Sequence, residues 1–149
     1  MRVETKPYGV VDVNEKQKLF FPYGILGFEQ LKHYVLLDAR QQPFYWLQST
    51  EVAEVAFVLI NPRIFRPEYK LEVSPEELEE IGIENIEDTL DFAIVTIPDD
   101  PSKMTANLQG PIIVNRKTRV GRQSISLNPK WMVRHMIMEE LASAEQTRC

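Results

Sequence analysis

The chain has 149 residues, 44% hydrophobic and 26% charged, with 22 acids, 17 bases and one cysteine. That length buries about 70% of the unfolded surface, so no disulfide or metal staple is required, and the composition excludes disorder as a description of the whole. A net charge of −5 argues against a general binder of nucleic acid or anionic membrane, and the lone Cys149 excludes an internal disulfide or an all-cysteine metal site.

In chain order, the opening Met1-Arg2-Val3-Glu4-Thr5-Lys6 lacks the apolar run of a secretory signal, and no stretch reaches the ~20 apolar residues of a membrane helix. The single thiol fits a reducing, cytoplasmic compartment. Val11 and Val13 alternate with polar neighbours as on a half-buried strand, and residues 16–21 run into Pro22. Phe21-Pro22-Tyr23-Gly24-Ile25-Leu26-Gly27-Phe28-Glu29 holds two glycines and a proline, which forbid a regular element. A loop that apolar must dock on its own core or on a partner.

Residues 34–38, 44–48 and 55–60 read as strands, the last apolar on both faces and therefore central. Residues 69–73 alternate with period two. Ser74, Pro75 and Glu77 then predict a short helix with a capping box, stopped at Gly82. Further strands are expected over 90–97, 104–108, 111–115 and 120–127. Asp99-Asp100, between prolines, reads as a hairpin tip. Asn128-Pro129 predicts a second helix over 130–144, with Val133, Ile137 and Leu141 on one face and His135 at its surface. Many short strands with two helices give a mainly-β chain, a single barrel-like domain over 1–149 of short antiparallel strands. Helices do not alternate with strands, which disfavours a doubly wound α/β fold.

Catalytic and metal chemistry find little support. His33 and His135 are 102 positions apart and outside any ligand-spaced cluster, so no metal or cofactor is expected. No serine sits in a nucleophile elbow, and Gly24-Ile25-Leu26-Gly27 is neither a phosphate loop nor a dinucleotide fingerprint. The expectation is a non-enzyme with no small-molecule substrate.

Charge is distributed unevenly. Residues 68–91 hold ten acids and one base, a net −9, while the rest carries +4. Glu76 and Glu80 are like charges at i,i+4, a local cost of a few tenths of a kcal/mol. Such a segment is a solvated face or a surface for a basic partner. Arg116, Lys117, Arg119 and Arg122 form a basic run with no acid between them. It reads either as an oligonucleotide-binding edge of a β-barrel or as a hairpin balancing the acidic segment; no aromatic interleaves it for base stacking.

The apolar loop resembles the FliW family of bacterial flagellar assembly factors. So do Pro43-Phe44-Tyr45-Trp46-Leu47-Gln48-Ser49, the run from Met104 through Asn107-Leu108 and Pro111 to Asn115, and Gly121-Arg122-Gln123. Gly110 stands where the family pattern has alanine, and residues 144–149 carry no family signal. The resemblance implies a cytoplasmic, barrel-like regulator. It would bind the translational regulator CsrA, relieve repression of flagellin messenger RNA, and bind flagellin in a chaperone-like partner switch. On that basis Phe21, Tyr23, Ile25, Leu26 and Phe28 are expected to divide between core anchors and partner contacts. Glu76, Glu77, Glu80, Glu84, Glu87 and Asp88 are expected to form an acidic face toward CsrA. Asn107, Gln109 and Gln123 are either polar contacts or hydrogen-bond partners of buried backbone.

Overall fold

The alternating residues of the first half become a meander. In the computed structural model, which describes residues 1–147, β1 (Arg2–Thr5) and β2 (Gly9–Asp12) form a separate hairpin. Then come β3 (Lys18–Phe20), β4 (His33–Asp38), β5 (Tyr45–Ser49), β6 (Ala56–Ile60), β7 (Thr89–Thr96) and β8 (Thr105–Asn115), and from β4 on each pairs antiparallel with the one before. The outer edge of β8 pairs with β9 (Gly121–Gln123) at one end and β10 (His135–Met136) at the other. The Phe20 amide donates to the Arg119 carbonyl (3.0 Å), and Phe20 bridges Val120, bringing the first strand back to the β8–β9 hairpin. The result is a nearly closed, barrel-like antiparallel sheet with two helices, α1 (Pro75–Glu80) and α2 (Ile137–Thr147). Cys149 lies outside the described residues.

Period-two alternation sorts the side chains by face. Leu47, Leu59, Phe92 and Ile112 point inward, where Phe21 and Ile25 join them. The outer face is covered in three places. The β1–β2 hairpin packs on Val35, Leu37 and Trp46. Phe65, Tyr69, Trp131 and Ile137 cover Ile60, Ala93, Val95 and Ala106. Val73, Ile81 and Ile83, from around α1, cover Ile113. The turn of the first hairpin is tied down by a fully buried side chain: Gln48 accepts from the Lys6 amide (2.8 Å) and donates to the Ala53 carbonyl (2.9 Å).

Four local expectations are corrected. Residues 104–108 and 111–115 are one strand, because β8 bulges: Asn107 faces Ile94 and Ile112 faces Phe92, so residues 108–111 are extra against Ala93. Pro111 is tolerated because the ladder is interrupted there. Residues 69–73 keep their alternating burial but form no ladder; they lie over the sheet as irregular chain. The capping box at Ser74 is absent: the Ser74 hydroxyl donates to the Glu76 carboxylate instead. Finally, residues 130–136 are not helical. The Met132 carbonyl accepts the bulge amides of Leu108 (3.0 Å) and Gln109 (3.1 Å), and β10 pairs with β8 before α2 begins. Tertiary pairing outweighs the helical periodicity there. His135 is consequently buried, not on a helix surface. Its Nε2 accepts the Met132 amide (2.8 Å), which leaves Nδ1–H to face Glu140 (3.2 Å), and Glu140 also binds Arg66.

Candidate functional site

The apolar loop is a chain of tight turns. The Gly24 amide donates to Phe21 (2.9 Å), Phe28 to Ile25 (2.7 Å) and Leu31 to Phe28 (3.1 Å). Lys32 reaches back to the Pro22 carbonyl (2.8 Å). Glu29 accepts from the Gly27 amide (3.0 Å), which holds its carboxyl below the usual carboxylate range. Gly24 sits at φ +67°, and a Cβ there would lie 2.5 Å from the Glu29 backbone, so only glycine fits. These turns divide the five apolar candidates. Phe21 and Ile25 are 0% and 1% exposed and plug the barrel; they are core anchors, not surface contacts. Phe28 is half-buried with its ring edge-on to Phe57. Tyr23 and Leu26 stand out at 51% and 62% exposed.

The acidic segment rides on the β8–β9 hairpin. Asn115, at the end of β8, donates to the Ile81 carbonyl (2.9 Å) just past α1 and accepts the Lys117 and Thr118 amides of the hairpin turn. The Asp88 carbonyl accepts the Arg116 amide (2.8 Å), and its carboxylate lies 3.4 Å from Lys117. Arg122 lies between Glu80, which it contacts directly, and Glu77 (3.6 Å). The acidic and basic runs, far apart in sequence, are therefore joined by internal pairs: Glu77, Glu80 and Asp88 meet Arg122 and Lys117. The repulsion expected between Glu76 and Glu80 is relieved because Glu80 has a cation and Glu76 has the Ser74 hydroxyl, which lowers its pKa. Glu76, Glu84 and Glu87 stay exposed without a cationic partner among the described residues.

Arg122 joins the two candidate regions. Its guanidinium lies 5.1 Å from the centre of the Tyr23 ring while gripping the α1 carboxylates, and its side chain is 15% exposed. Beside it, Gln123 accepts the Leu26 amide (3.0 Å) and donates to the Gly110 carbonyl (2.9 Å) of the β8 bulge. Asn107 accepts the Gln109 and Gly110 amides of that bulge. Asn107 and Gln123 thus satisfy backbone, while Gln109 is exposed. The loop, the bulge, β9 and α1 form one contiguous region, with Tyr23 and Leu26 on one side and free carboxylates on the other.

Sequence reasoning placed Arg122 in the basic run and named hairpin balancing as one of its two readings; its place between Tyr23 and α1 was not foreseen. Ile125 and Leu127, exposed after β9 on a segment hydrogen-bonded to Gln109 and Glu72, were also missed. An outward apolar position on an irregular segment has no sequence signal. Among the described residues no group of three or more His, Cys, Asp or Glu is placed to hold a metal ion, and no helix is long and apolar enough to cross a membrane.

The model of the FliW protein family matches residues 2–137. A flagellar assembly factor FliW of Leptospira interrogans is 46% identical over 144 residues, spanning 95% of this chain and 96% of the relative. One from Treponema denticola is 41% identical over 144 residues, spanning 97% and 98%. A crystal structure of the flagellar assembly factor FliW superposes with a TM-score of 0.85 at 34% identity, covering 92% of this chain and 96% of that one.

Proposed function

The chain belongs to the FliW family, and from that premise we propose that it serves flagellar assembly by exchanging two partners on one surface. The partners are the basic, RNA-binding regulator CsrA and flagellin, both met in the cytoplasm. CsrA bound here is withheld from flagellin messenger RNA; flagellin bound here releases CsrA. No bond is made or broken.

The observation that carries this reading is the Arg122 junction, which puts the exposed Tyr23 and Leu26 beside the acidic segment. Free carboxylates at Glu76, Glu84 and Glu87 provide attraction for a basic surface and repel phosphates that compete for it. Exposed Leu26 and Tyr23 provide the apolar anchor that charge alone lacks. Two of the four cations of the basic run, Arg122 and Lys117, are engaged by Glu77, Glu80 and Asp88, which weakens it as a nucleic-acid edge.

The test is calorimetric titration of CsrA into the protein carrying Glu76→Lys, Glu84→Lys and Glu87→Lys together. These residues hold no cation of the fold, so the barrel is expected to keep its melting temperature. Affinity for CsrA should fall at least about tenfold and its salt dependence should flatten. Unchanged affinity and salt slope would remove the acidic face from the reading.

A further inference from the structure

A second surface has the opposite electrostatics. Two of the covers on the outer face, the β1–β2 hairpin and the segments around Tyr69 and Trp131, do not meet. Trp46 packs with the first and Val58 with the second, although the two are direct partners across β5 and β6. The seam between them is a groove of about 620 Å³, lined by Tyr8, Phe44, Trp46 and Met104 along its length, with Lys6 and Arg40 as its charged residues. Among the described residues no acid lines it, in a chain whose net charge is −5. Arg40 is held over the Tyr8 ring (4.7 Å to its centre), and the Arg40 amide donates to the Tyr8 hydroxyl (2.8 Å), so the mouth is shaped without any carboxylate. Neither cation has an ion-pair partner among the described residues.

We propose that this groove binds an amphipathic peptide segment whose apolar side chains lie on Trp46 and Phe44 while its carboxylates meet Lys6 and Arg40. Its lining is drawn from the turn of the first hairpin, the β4–β5 connection and the segment that leads into β8, so it extends along the seam. That shape suits a length of chain; a small ligand requires a pocket that buries most of its surface. The apolar floor supplies affinity, and the unpaired cations select for acid. The acidic segment would repel such a peptide, and none of its residues lines this groove, so the site is distinct from the surface assigned to CsrA and flagellin.

The chain has two tryptophans, and only Trp46 lines the groove. Fluorine NMR of protein labelled with 5-fluorotryptophan therefore reads the site directly, with Trp46→Phe assigning the signal. The probe is a synthetic helix of about fifteen residues, leucine on one face and glutamate flanking it. It should shift the Trp46 signal saturably and leave Trp131 unmoved. The same helix with glutamine for glutamate should bind about tenfold more weakly. In the Lys6→Glu, Arg40→Glu double variant the acidic helix should lose binding, and a lysine version should recover it. An unmoved Trp46 signal overturns the proposal. So does equal binding of the glutamine helix, which reduces the groove to apolar stickiness, or a Trp46 shift with laurate and none with the peptide. If the double variant does not fold, the glutamate–glutamine comparison on the unaltered chain still decides.

Discussion

The apolar loop and the acidic helix meet at one guanidinium yet are held by different forces. The loop is braced by its own backbone turns and by Phe21 and Ile25 driven into the barrel. Two buried large apolar side chains contribute on the order of 3–6 kcal/mol, and salt does not weaken that term. α1 has six residues, no side-chain cap bond and no buried residue of its own. It is held by its own half-buried Leu78, by Ile81 and Ile83 just beyond it, by Asn115, and by ion pairs to Arg122. Its attachment is partly electrostatic, the kind of force a charged partner can compete with. The loop is therefore a fixed anchor, and the helix is the adjustable side of the same surface.

The sharpest way to break that contrast is to put the same charge on both sides of the loop. Ile25→Asp buries a carboxylate at a 1% exposed position and should unfold the chain, a loss of about 4 kcal/mol or more in chemical denaturation. Leu26→Asp, one residue on, should leave the denaturation midpoint within about 0.5 kcal/mol and abolish partner binding in calorimetry. Equal destabilisation by the two would mean that Leu26 too is structural.

Arg122→Ala comes next. It strands Glu77, one of whose carboxylate oxygens is already buried without a partner, and it frees Tyr23. The expected cost is about 2 kcal/mol, with faster amide exchange confined to residues 75–83. Loss of protection in the loop instead would show that the loop leans on the helix. A smaller effect is expected from Gly110→Ala: its methyl would lie 2.9 Å from Gln123 Nε2, displacing the side chain that holds the Leu26 amide. Thermal stability should change by less than about 1 kcal/mol while partner dissociation quickens. An unchanged off-rate would mean that Gln123 does not set the loop's position.

The smallest expected effect concerns the barrel interior against which the loop packs. The Tyr34 hydroxyl is buried without a partner, and burial, with the Glu51 charge second, pushes its pKa up to about 12. An unfolded tyrosine ionises near ~10, so the unfolded chain releases that proton first and stability falls as pH rises from ~10 toward 12. Tyr34→Phe should be neutral or slightly stabilising at pH 7 and should flatten that alkaline slope. A destabilised Tyr34→Phe would mean that the hydroxyl is satisfied.

The contrast also explains what was legible in the sequence. Strand alternation, the Pro75 helix start and the Gly82 stop (φ +74°) are local rules and can be read locally. The glycines of the loop announced a shape, though not which of Phe21, Tyr23, Ile25, Leu26 and Phe28 would face outward. That depends on how the barrel closes. The β8 bulge and the non-helical 130–136 segment were illegible because each supplies the other's hydrogen bonds across the fold. Arg122 looked like one cation of four; only the folding of the acidic segment onto the hairpin makes it the junction.

If the loop and the acidic face are one surface, the two proposed partners, CsrA and flagellin, exclude one another. The direct measurement is titration of flagellin into the protein with CsrA held at several fixed concentrations. The apparent Kd for flagellin should rise in proportion to CsrA without limit, with no ternary species in sedimentation. A plateau in that Kd, or a sedimenting ternary complex, would contradict it.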